Sequence, residues 1–141
     1  MPLPSAANGG ALPRLQPGWM KVCAVLCAAT VVVTFLGDLF VPAARGVEVW
    51  LGFEITGWLA LATAPIHWAL FATAAWAFWT GRMGVVPWAA AYLFYAALSH
   101  LIWSEASPHG RGWPIGLVQA SLIAAGGYVL LRLRGLEASP R

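Results

Sequence analysis

Four apolar stretches, 22–41, 58–79, 85–103 and 114–131, alternate along the chain with short polar breaks. Each comes close to the roughly 20 residues needed to cross a hydrocarbon layer about 30 Å thick. The breaks carry helix-stopping residues: Pro42 with Arg45 and Gly46, then Gly81-Arg82-Met83-Gly84, then Ser107-Pro108-His109-Gly110-Arg111-Gly112. Apolarity inside each stretch is continuous and does not alternate. Backbone amides in lipid need partners within the structure, so helices are predicted and a barrel is not. The expected fold is all-α, a polytopic membrane protein forming a bundle of four transmembrane helices in a single domain over 19–134. Residues 1–18, with four prolines, three glycines and no apolar period, are expected to form a flexible, disordered N-terminal tail, and 135–141 a short C-terminal tail.

The segment 46–57 reads two ways. Glu48 and Glu54 among Val47, Trp50, Leu51, Phe53 and Ile55 suit an interfacial helix or an outward extension of the second span from 47, and the extension is preferred. A continuous helix over 47–80 would be about 50 Å long at 1.5 Å per residue, with a kink expected at Pro65. The first span could also be read as a cleaved signal segment, with Val41-Pro42-Ala43 as the cleavage site. The long preceding stretch and the polar pattern within the span favour a retained helix.

Composition agrees with lipid as the solvent. Of 141 residues, 60% are hydrophobic and 9% charged, with nine tryptophans and two cysteines. Disordered chains, disulfide scaffolds and nucleic-acid-binding domains need charge or cysteine that this chain lacks. With four spans, Arg14, Lys21, Arg82, Arg132, Arg134 and Arg141 share one side with both termini, and only Arg45 and Arg111 lie on the other. This asymmetry predicts a multi-pass protein of a cytoplasmic (inner) membrane with both termini cytoplasmic. Arginine outnumbers lysine seven to one, which suggests a GC-rich bacterial genome. Eight tryptophans fit belts at the two interfaces: Trp19, Trp76, Trp79 and Trp88 inside, Trp50, Trp58, Trp103 and Trp113 outside.

Polar and small residues inside the spans recur at helical spacing. Cys23, Cys27, Thr30, Thr34 and Asp38 form one stripe on the first helix. Seams follow at Ala60, Ala64, His67, Phe71 and Ala74, at Ala89, Tyr92, Ala96 and His100, and at Gly116, Ala120, Ala124 and Gly127. Further small residues, Ala62, Ala69, Ala72, Ala77, Ala90 and Ala97, are expected outside the principal packing faces. His67 lies about 13 Å below Trp58, at the depth of Tyr92 and Tyr95 on the antiparallel neighbour, so a hydrogen bond from His67 to Tyr92 or Tyr95 is predicted.

Nearer the outer face, Asp38, Glu54, His100, Glu105, His109 and Gln119 are expected to form an acidic, histidine-containing mouth. Asp38, Glu54, His67, His100, Glu105 and Gln119 are therefore the candidates for ligand binding or proton handling. No cofactor motif is present. A divalent metal at His100, Glu105 and His109 is one alternative, although the spacing is not that of a compact metal motif. A haem between His67 and His100 is another, disfavoured by about 9 Å of difference in depth. No nucleotide-binding loop or nucleophile motif supports an enzyme. The preferred reading is an accessory or structural bundle, or a binder of lipid or a small ligand. Its partners would be the bilayer, other membrane proteins or a second copy, and not nucleic acid. The alternative is a membrane-embedded enzyme or transporter using Asp38, Glu54, His100 and Glu105.

Overall fold

A computed structural model describes residues 16–41 and 47–138. Its elements are α1 (Gly18–Phe40), the strands β1 (Val47–Trp50) and β2 (Phe53–Thr56), α2 (Trp58–Trp79), α3 (Val85–Ala106) and α4 (Trp113–Ala138). All four helices are long and apolar enough to cross a membrane, and the chain is a polytopic four-helix membrane protein. The expected N-terminal tail lies outside the described residues, apart from its last few positions. α4 continues past 131 through Arg132 and Arg134, so most of the expected C-terminal tail is helical: the charges mark the end of the apolar layer, not of the helix.

Four threonine hydroxyls, three within the helices and one at the C-cap of α2, are satisfied locally, whereas the buried Ser104 hydroxyl of α3 has no partner among the described residues. Thr30, Thr34, Thr63 and Thr80 each donate to the carbonyl four residues earlier, at 2.8–3.0 Å, which removes the cost of an unpaired donor in lipid. Pro65 sits within α2 without ending it, and it leaves the Leu61 carbonyl without its helical donor.

The helices associate as two pairs, α1 with α2 and α3 with α4, while α2 and α3 touch little. Between α3 and α4 the approach is set by glycine. A Cβ on Gly116 would lie 2.6 Å from the Ser104 Cβ, and one on Gly127 would lie 3.1 Å from the Ala90 carbonyl oxygen. Ala90 and Ala97, expected to face outward, are buried with Ala77; Ala62, Ala69 and Ala72 are exposed. At the end bearing Lys21, Arg82, Arg132 and Arg134, here the basic end, Met20, Ala24, Phe78 and Val86 form a closed core that Cys23, Cys27, Ala89 and Leu130 flank. This core joins the two pairs. Packing there accounts for the cysteines, and both are free thiols.

The preferred extension of α2 back to 47 is not formed. Val47–Trp50 and Phe53–Thr56 make an antiparallel hairpin, with Glu48 opposite Ile55 and Val49 opposite Glu54. Leu51 and Gly52 form the two-residue turn with φ of 53° and 86°, the left-handed pair that matches strand twist. Gly52 is buried against Ile102 and the Ser99 backbone. Ser99 lies seven residues before the end of α3, so the tip reaches about 10 Å below that end. The hairpin packs on both α2 and α3, filling the space those helices leave. Non-helical backbone at membrane depth is tolerated where protein covers it, and the Leu51 amide is capped by the Tyr95 hydroxyl at 3.0 Å.

Candidate functional site

Strand alternation sorts the hairpin carboxylates. Glu48 and Trp50 share one face, and Glu54, opposite Val49, is on the other. On the first face, His67 Nδ1 donates to Glu48 Oε2 at 2.8 Å, and the Trp50 ring stacks on the imidazole with centroids 4.4 Å apart and planes at 11°. The Glu48 and His67 side chains are only 15% and 18% exposed. The expected bond from His67 to Tyr92 or Tyr95 is therefore replaced. The hairpin brings an ionisable carboxyl to the histidine, and a hydrogen bond to a charged acceptor outweighs one to a phenol. Tyr95 instead caps the hairpin tip, and Tyr92 packs edge-on against Phe71 at 5.4 Å.

Asp38 lies near the end of α1 and accepts from Trp68 Nε1 at 3.1 Å, while Phe35 packs edge-on against the Trp68 ring at 5.1 Å. Between α1, α2 and β1 is a cavity of about 160 Å³ lined by Asp38 and Glu48 with Phe35, Leu39, Leu61 and Trp68. It is an apolar slot with two carboxylates in its wall.

On the opposite face, Glu54 Oε1 accepts from Trp103 Nε1 at 2.8 Å and from the Ser107 hydroxyl at 2.5 Å. The His109 ring lies 3.3 Å away and is 77% exposed. Ser107 also accepts the His109 amide at 3.0 Å, so Glu54 fastens the hairpin to the connection between α3 and α4. The Ser107 and Trp103 hydrogen bonds hold the Glu54 carboxyl below its ordinary value of 4.5. A carboxyl lowered on folding contributes stability above pH 4.5 and loses it as pH falls through the lowered value. Glu54→Gln is accordingly expected to reduce the melting temperature most at pH 7, with the difference from the parent chain closing as pH falls below 4.5 and through the lowered value. A difference that persists unchanged at low pH would contradict the charged clasp.

The anticipated single mouth is thus divided. Asp38 faces α2 because α1 pairs with α2 and not with α3. His100 is exposed and packs edge-on against Trp103, with centroids 5.9 Å apart. Glu105 is exposed, and the shielded Gln119 Oε1 has no partner among the described residues. His100, Glu105 and His109 do not converge, and among the described residues no three His, Cys, Asp or Glu side chains are grouped for a metal. His67, weighed above as one end of a disfavoured haem site, is engaged with Glu48 and Trp50, while His100 packs against Trp103. Trp50 and Trp103, assigned to the outer belt, turn inward to His67 and Glu54; Trp58, Trp76, Trp79, Trp88 and Trp113 remain exposed.

No family model, curated protein or solved structure matches the chain. The chemistry must therefore be read from the side chains. Glu48, Trp50 and Ser107 were not among the nominated site residues. A signal for the first two lies in Val47-Glu48-Val49-Trp50 and Phe53-Glu54-Ile55-Thr56, β-prone quartets on either side of Leu51-Gly52. Ser107 offers no comparable pattern.

Proposed function

We propose that this protein is a small ligand-binding bundle of a bacterial inner membrane, with the basic end cytoplasmic and the hairpin end outside. Its ligand is an amphipathic molecule with a cationic head. The observation that carries this reading is the cavity between α1, α2 and β1, where Asp38 and Glu48 stand in an otherwise apolar wall. Each carboxylate has one protein donor, Trp68 or His67, and keeps further acceptor capacity for an ammonium group. Phe35, Leu39 and Leu61 are exposed on the membrane side of the slot and suit an alkyl chain.

Titration of the purified protein in a zwitterionic detergent with n-octyltrimethylammonium tests this. Binding is expected to weaken about tenfold in Asp38→Asn, the scale of one charge-assisted contact, and n-octanol is expected not to compete. Equal binding of the alcohol and the cation, or an Asp38→Asn variant with unchanged affinity, would overturn the proposal.

A second reading has its own observation. The Glu48–His67 pair beside the cavity is a carboxylate–imidazole couple of the kind that moves protons, so proton transfer on the bound molecule is the alternative activity.

A further inference from the structure

The opposite end of the α1–α2 pair carries a second groove, remote from the hairpin. It encloses about 290 Å³ and is lined by Ala24, Val25, Ala28, Ala75, Trp76 and Trp79. It is an open groove in which the small alanines leave room beside the two tryptophans. Val25, Trp76 and Trp79 are more than half exposed, so the groove opens onto the membrane and not into the bundle core.

Its charged end is not symmetric with the rest of the surface. Lys21 lies four residues before Val25 and seven before Ala28, which places it on the same face of α1, one turn nearer the basic end. From the other wall, the Arg82 guanidinium folds back over the Trp76 ring at 4.1 Å from its centroid. That position brings a cation over the groove and leaves the planar donors of the guanidinium available at its rim. Among the described residues of the basic end, Lys21, Arg82, Arg132 and Arg134 face a single acid, Glu137. The groove therefore pairs an open apolar channel with two cations toward its basic end.

We propose that this groove is a binding site for an anionic phospholipid, with one acyl chain along Ala24, Ala28 and Trp76 and the phosphate held by Lys21 and Arg82. Zwitterionic lipids share the phosphate, but their ammonium group offsets the attraction, so the site distinguishes lipids by net charge. Arg132 and Arg134 lie on α4 outside the groove, with Arg132 over Tyr128 at 5.9 Å, and take no part in it.

Native mass spectrometry of the full chain in mild detergent tests the site, with dioleoyl-phosphatidylglycerol or dioleoyl-phosphatidylcholine added. The expected result is at least tenfold tighter retention of phosphatidylglycerol. Lys21→Gln with Arg82→Gln is expected to bring that retention down to the phosphatidylcholine level, whereas Arg132→Gln with Arg134→Gln leaves it unchanged. Ala28→Trp fills the groove while keeping both cations, and it is expected to abolish the preference in a protein whose circular dichroism matches the parent. Equal retention of the two lipids would overturn the proposal. So would an equal loss from the Arg132 and Arg134 pair, or displacement of the lipid by chain-free glycerol phosphate at equal concentration.

Discussion

Gly52→Ala is expected to unseat the β-hairpin and destabilise the protein by about 3 kcal/mol, the sum of a left-handed backbone penalty and overpacking in a filled space. Gly52 has φ of 86°, and an added Cβ would meet the Ile102 side chain and lie 2.9 Å from the Ser99 carbonyl oxygen. That oxygen belongs to helix backbone, so relief requires the tip to withdraw. Withdrawal breaks the Leu51–Tyr95 hydrogen bond and carries Glu48 away from His67. Gly84→Ala provides the comparison: its φ of −62° is helical and open space surrounds it, so a change within about 0.5 kcal/mol is expected. Reversible unfolding in mixed micelles measures both, and amide exchange over 47–56 reports whether the hairpin is the part that loosens. Equal stabilities for the two variants would show that the tip is not seated as described.

The second large effect is expected at His67. His67→Leu leaves the Glu48 carboxylate without its donor in a pocket where it is only 15% exposed, and stranding one member of such a pair costs about 3 kcal/mol. Glu48→Leu combined with His67→Leu removes both polar side chains and is expected to recover most of that loss, because two apolar side chains against Trp50 need no solvation. The same unfolding assay closes the double-mutant cycle. If the double variant were as unstable as the sum of the single ones, the 2.8 Å contact would have no energetic coupling. A variant that keeps its fold but loses affinity for n-octyltrimethylammonium would separate the proposed binding role of Glu48 from its structural one.

The four spans were legible because lipid imposes one simple requirement, long unbroken apolarity, and the chain meets it at 58–79, where α2 ends at Trp79 as expected. Small-residue periodicity also located the packing face of α4: Gly116, Ala120 and Gly127 are buried as their spacing implies. Periodicity could not assign Ala90 and Ala97. Both α2 and α3 are apolar around their whole circumference, so no polar face marks which side meets protein and which meets lipid. The hairpin was obscured for a different reason. Its turn uses Leu51 where asparagine or aspartate would announce a reversal, and its tip lies against helix instead of water. With 46–57 read as helix, Glu48 lay above the membrane and His67 was left with only phenols in reach. Depth arguments alone then grouped Asp38 with His100 and Glu105, although knowledge of which helices pair would have separated them.

The division into two helix pairs also bears on biogenesis. In chain order α1 and α2 emerge together and can close on each other before α3 exists. The hairpin between them is then a half-finished part. Glu48 already has His67 and Trp50 within its own pair, but Glu54 and the Leu51 amide have no partners until Trp103, Ser107 and Tyr95 arrive with the second pair. The same few hydrogen bonds that fasten the finished molecule thus act as the latch by which the later half of the chain captures the earlier one.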